Sequence, residues 1–221
     1  MRKIILLLLT MSMILSGCRS SQGNHTENSV SEADTAVSVS AVTVCPLPDY
    51  TTDTLDNATI AISLEEGDAY VDDTGIMQMN VTVYSYDLFD MVDIAGLKSG
   101  DILATHFGEV KVSTIERNES GTVLINGGLE NDGIELFGKD GVYYETGFND
   151  VKNWYAVGEV TLRVSADLEF RDYIDLEKGE QIYYAGSFLV GEVTDYNFTP
   201  HNTTVRIENG QIVSMERIYT P

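Results

Sequence analysis

Between Tyr50 and the C-terminus the chain alternates apolar and polar residues with a period of two, in one short run after another. Alternation of that kind suits strands that bury one face and leave the other to solvent. The runs are Ala58 to Leu64, Met77 to Tyr86, Ile102 to His106, Val110 to Ile115, Thr122 to Asn126 and Ile134 to Phe137. They continue as Val142 to Thr146, Val157 to Val164, Gln181 to Tyr184, Phe188 to Val193, Thr204 to Glu208 and Gln211 to Tyr219. Asn126-Gly127-Gly128, Asp132-Gly133, Lys139-Asp140-Gly141 and Asn209-Gly210 separate several of them. Asx-Gly pairs accept the positive φ of tight hairpins, so neighbouring runs are expected to pair antiparallel. No proline falls between Pro48 and Pro200 to interrupt a ladder. The expected fold is all-β, an antiparallel sandwich or barrel of many short strands.

One stretch reads differently. Leu88, Met91, Val92 and Ala95 recur at helical spacing between Asp87 and Gly96. Asp87 suits a helix N-terminus and Gly96 a stop, so one short helix is expected near residues 87–95, plugging an open end of the sheets.

The first 50 residues are of another kind. A basic start, Met1-Arg2-Lys3, leads into an apolar segment over residues 4–15, the length of a signal-peptide core and too short to span a bilayer. It ends in Leu15-Ser16-Gly17-Cys18, which resembles the lipobox of bacterial lipoproteins. The resemblance covers these 18 residues alone. It implies cleavage before Cys18, acylation of that cysteine, and a chain exported and lipid-anchored to the cell membrane with its domain facing outside the cytoplasm. Each buried CH₂ contributes about 0.8 kcal/mol, so two or three acyl chains anchor stably without a spanning helix. Residues 1–17 are thus expected to be a signal peptide, 18–48 the lipidated cysteine and a flexible tether, and 49–221 a β-rich globular domain. The tether is rich in Ser, Thr, Asn and Ala, and every aromatic residue falls at or after Tyr50. A coil of that length holds the domain about 30 Å from the lipid. Residues 37–44 alternate like a strand and could instead join a sheet edge.

Charge narrows the partners. The chain carries 13 Lys+Arg against 35 Asp+Glu, a net charge of −22, and loss of Arg2 and Lys3 takes it to −24. Nucleic acid is excluded, because phosphate backbones require Lys and Arg to displace their counterions. Catalytic patterns are also missing. No His-rich metal motif, Gly-x-Ser-x-Gly elbow or phosphate-binding loop occurs, and His106 and His201 are the only histidines in the domain. No cofactor is expected. Calcium is the exception that the composition allows, at Glu65-Glu66-Gly67-Asp68, Asp72-Asp73 or Glu130-Asn131-Asp132, although none follows the Asp-x-Asp-x-Asp-Gly loop.

Three aromatic doublets stand out: Tyr143-Tyr144, Trp154-Tyr155 and Tyr183-Tyr184. Adjacent residues on a strand point to opposite faces, so each doublet offers one ring to a core and one to the other face. If the outer rings lie on neighbouring strands they form a platform suited to a sugar ring or a protein partner. The favoured reading is a non-enzymatic binding module for a glycan, a cell-envelope polymer or an exported protein, with these six residues as ligand contacts. The alternatives are an envelope hydrolase using carboxylates dispersed along the chain, and a structural subunit of an envelope assembly.

Overall fold

The computed structural model describes residues 41–47, 50–148 and 151–220. The signal peptide, Cys18 and most of the tether lie outside the described residues. The body is all-β, as the alternation predicts, and is organised around two hydrophobic cores.

The first core fills a closed ring of five strands. β2 (Thr59–Ser63) pairs with the second half of β4 (Met77–Tyr86), and the short β3 (Ala69–Val71) pairs with the start of β4 along the same edge. β4 pairs with the first half of β12 (Trp154–Asp172), a strand of 19 residues. The second half of β12 turns away to pair with β13 (Gln181–Tyr184) and, in parallel, with β15 (Gln211–Arg217). β14 (Thr203–Glu208) joins β15 back to β2 and closes the ring. A bulge between Val164 and Glu169 gives β12 the bend that lets it serve both sides. Numbered within the ring, the strands run 1-2-3-5-4 and return to 1, the Greek-key connectivity of an OB barrel. Connectivity alone assigns no function.

Strand alternation fills this barrel. Ile60 and Ile62, Met79, Val81 and Val83, Leu162 and Val164, Val205 and Ile207 all point inward. Opposite Leu168 and Phe170, α2 (Ala185–Leu189) contributes Ala185 and Phe188, with Phe188 5.5 Å from Phe170 between ring centres. Phe188 to Val193 is therefore not a strand. Phe170 and Phe198 draw Phe188 inward from one helical turn.

The second core lies in the excursion between β4 and β12. β5 (Leu88–Asp90), β11 (Val142–Thr146), β10 (Ile134–Lys139), β9 (Thr122–Ile125) and β8 (Ile115–Arg117) form an antiparallel sheet in that order. β6 (Ile102–Thr105) and β7 (Gly108–Lys111) form a hairpin beside it. Phe89, Ile94, Leu103, Val123, Ile125 and Leu136 pack between them. β1 (Thr43–Val44), from the segment expected to be tether, adds in parallel to β6 and buries Val44. Asp101 holds it there by accepting from the Val42 N–H at 2.9 Å.

The expected helix is shorter than its spacing implied. Leu88 to Asp90 extend as a strand because Phe89 pairs with Tyr143 on β11. α1 (Met91–Gly96) begins only where Asp90 caps the Val92 N–H at 2.7 Å. Its buried residue is Ile94, while Met91 and Val92 are exposed, so the apolar face read from the sequence is not the packed one. Two of the Asx-Gly turns behave as read: Asp140-Gly141 and Asn209-Gly210 have positive φ at both residues and close two-residue hairpins. Asn126-Gly127-Gly128 and Asp132-Gly133 instead belong to one longer β9–β10 connection that contains a 3-10 turn over Leu129–Asn131.

Candidate functional site

Where the excursion leaves and re-enters the barrel, β4, β11 and β12 bring aromatic and ionisable residues together. Alternation sorts them onto two faces.

On the outer face, Trp154 pairs in register with Tyr86, their rings edge to face at 4.9 Å. Tyr144 of β11 adds a third ring 6.1 Å from Tyr86. Lys152, two residues before Trp154, lays its Nζ 3.8 Å from the Tyr86 ring centre, 5.3 Å from Trp154 and 5.8 Å from Tyr144. The three rings and the lysine stem are all half-buried.

This cluster is one end of a longer strip. Along the outer face of the β4–β12 pair the register sets Tyr84 against Ala156, Thr82 against Glu159 and Asn80 against Thr161. A register shift between Ala156 and Gly158 keeps these residues outward past the bulge. Thr161 donates to Asn80 Oδ1 at 2.7 Å. Beyond Tyr84 the strip opens into a shallow groove of about 560 Å³, lined by Ser63, Glu65, Asp68, Asn80, Thr82, Glu159 and Thr161 among others. From Tyr86 to Asn80 the strip measures about 20 Å at ~3.3 Å per residue.

The inner face of the same junction is polar, with two buried carboxyls beneath the exposed His106. Asp87 is buried. Its Oδ2 accepts the His106 backbone N–H at 2.8 Å, and its Oδ1 meets the His106 ring at Nδ1. That imidazole stacks on Tyr155 at 3.7 Å between ring centres. Asp87 is thus the anchor of the β6–β7 turn, not the start of a helix. Glu145 is also buried. Its Oε1 accepts from Asn153 Nδ2 at 2.7 Å, while Oε2 has no hydrogen-bond partner among the described residues. Burial pushes the Glu145 carboxyl above its ordinary range, the Asn153 bond opposes this, and the Asp87 charge adds to it. Neither acid lines the groove, so the two do not form an open acid–base pair on that face.

The doublets divide between faces as strand geometry requires. Tyr143 packs on the second core and Tyr144 joins the outer cluster. Trp154 is on the outer face, and Tyr155 takes the inner side with His106 and Phe107. The third doublet is elsewhere: Tyr183 stacks on Phe170 in the barrel core, and Tyr184 is exposed on β13. The platform therefore unites Tyr144 and Trp154 and leaves out Tyr183 and Tyr184. Tyr86 and Lys152 were missed, since nothing local marks a tyrosine at a strand end or a lysine beside a turn.

In two of the acidic patches considered for calcium, Asp72 and Asp68 are engaged in their own turns. Asp72 accepts from Thr74, Gln78 and the Ile76 N–H, which hold its carboxyl well below the usual range. Asp68 accepts the Glu65 N–H. Among the described residues no group of three acidic, His or Cys side chains converges as a metal site. Among them, too, no helix is long and apolar enough to cross a membrane. No protein-family model, curated protein or solved structure matches this chain.

Proposed function

We propose that this chain is an exported lipoprotein, tethered by acylated Cys18, whose β4–β12 face binds a glycan or other polymer of the cell envelope. The reading is carried by one observation: a strip of rings, hydroxyls and amides runs open along two paired strands and ends in a shallow groove. An open strip about 20 Å long suits a linear ligand, with sugar rings stacking on Trp154 and Tyr86 and hydroxyls meeting Asn80, Thr82 and Thr161. Glu65, Asp68 and Glu159 set the sign of the ligand, which is neutral or cationic and not a polyphosphate.

Trp154 is the single tryptophan, so its fluorescence reports on this face alone. Titration of the full chain in neutral detergent with cell-wall oligosaccharides is expected to shift its emission saturably. Trp154→Ala should weaken binding at least tenfold, as measured by calorimetry, with the fold retained by circular dichroism. A wild-type chain that leaves Trp154 emission unchanged across neutral and amino-sugar oligomers overturns the reading.

A further inference from the structure

Lys152 is placed unusually for this chain. Acidic groups outnumber basic ones by 35 to 13, yet its ammonium faces three rings, Tyr86 nearest, on the outer face. Rings from β4, β11 and β12 thus enclose a positive charge from three sides. Such an arrangement recognises alkylammonium groups through the negative faces of the rings. The lysine lies on the connection that re-enters β12, whose backbone is tied to β11 at Thr146 and through its neighbours Val151 and Asn153. Its side chain is only half-buried, so a swing of that side chain toward solvent leaves the backbone and the rings in place. The surrounding negative charge raises the local concentration of cations at this face.

We infer that Tyr86, Tyr144 and Trp154 form a cation-binding cage for an alkylammonium group of the ligand, and that Lys152 is its resident, displaceable occupant. The inference rests on the β4–β12 face being the binding face and names the chemistry of its aromatic end. An incoming alkylammonium displaces the Lys152 side chain into solvent and takes its place over Tyr86, while neutral parts of the ligand extend toward the groove. Affinity is held down in the wild type because the lysine competes for the same rings.

The test uses the full chain in a detergent free of ammonium groups, with Trp154 emission as the readout and ionic strength held constant. Choline is compared with 3,3-dimethylbutanol, its neutral isostere, in wild type, Lys152→Ala and Lys152→Met, the last keeping most of the aliphatic stem. Choline is expected to quench Trp154 saturably, roughly tenfold more tightly in both variants than in wild type, consistent with removal of one cation–π contact. The isostere should give no saturable change, and Tyr86→Leu should abolish the choline response. Equal responses to choline and the isostere overturn the inference, as does no response to choline in either folded lysine variant. If neutral oligosaccharides still shift Trp154 in that case, the binding face stands and only the cage falls. If they also fail, both fall.

Discussion

Glu145 is a residue whose environment opposes its ordinary charge. The carboxyl is buried, one oxygen is unpartnered among the described residues, and Asp87 adds like charge. Its folded pKa is raised, so the native state holds a proton that the unfolded chain has already released. Stability attributable to this group is therefore present at low pH and lost as pH rises from the ordinary carboxylate range through the raised value. Glu145→Gln removes that loss and retains an acceptor for Asn153. Thermal melts should show the variant more stable than wild type at pH 7 by about 1–3 kcal/mol, or ~2–4 °C in Tm per kcal/mol, with the gap closing toward pH 4. A gap independent of pH would mean that the carboxyl is not the cause. Arg217 shows the opposite arrangement. It is buried, but Asp172 accepts from its Nε at 3.0 Å and its Nη2 at 2.6 Å, and the Asp195 carbonyl accepts from Nη1. Both are ionisable residues buried among strands, and their cost depends on whether every polar atom finds a partner.

At the scale of elements, β1 shows how a two-residue strand is held. Its ladder to β6 is too short to persist alone, and backbone bonds from Ile102 to the Val42 carbonyl and from Leu47 to the Leu88 carbonyl flank it. Asp101, itself fixed by the Lys98 N–H at 2.9 Å, accepts from the Val42 N–H at 2.9 Å. Those bonds keep the Asp101 carboxyl below its ordinary range. The stabilisation is thus present above the unfolded value and lost as pH falls through the lowered one. Asp101→Ala should cost about 1–3 kcal/mol at pH 7 in urea unfolding, and less in acid, where the wild type loses the same contacts. No difference at pH 7 would show that β1 is held without the Asp101 side chain. Gly133 is a second local constraint: a Cβ there would lie 2.1 Å from the Ile125 carbonyl oxygen, so only glycine permits that approach. Met77 to Tyr86 alternates cleanly and was legible residue for residue, because it buries one face against one core. Val142 to Thr146 was legible in its bounds but not in its faces, since Glu145 and Thr146 are both buried. β12 was not, since it leaves one partner for another along its length and its bulges change which residues face inward. α2 was misread because its five residues form one turn, and burial of Phe188 outweighs local preference.

For the whole molecule, the two ends of the chain answer to different physics. The leader and Cys18 are expected to decide location, and the acidic body to decide which ligands approach. Cys18→Ala should move the protein from the membrane fraction to the soluble fraction after carbonate washing. Retention in the membrane would refute the lipobox reading. The sequence by itself determined the all-β class, most strand positions and the hairpin turns, because alternation and positive-φ residues act over a few residues. It also marked the doublets that contain Tyr144 and Trp154, since a doublet on a strand places one ring on each face, but not which ring of each faces outward. Only the tertiary structure decided that β12 closes a barrel, that Tyr86 meets Trp154, that Lys152 enters their cluster and that Asp87 holds His106. Those contacts join residues far apart in the chain, and which of them meet depends on strand register and on bulges, which no local pattern encodes.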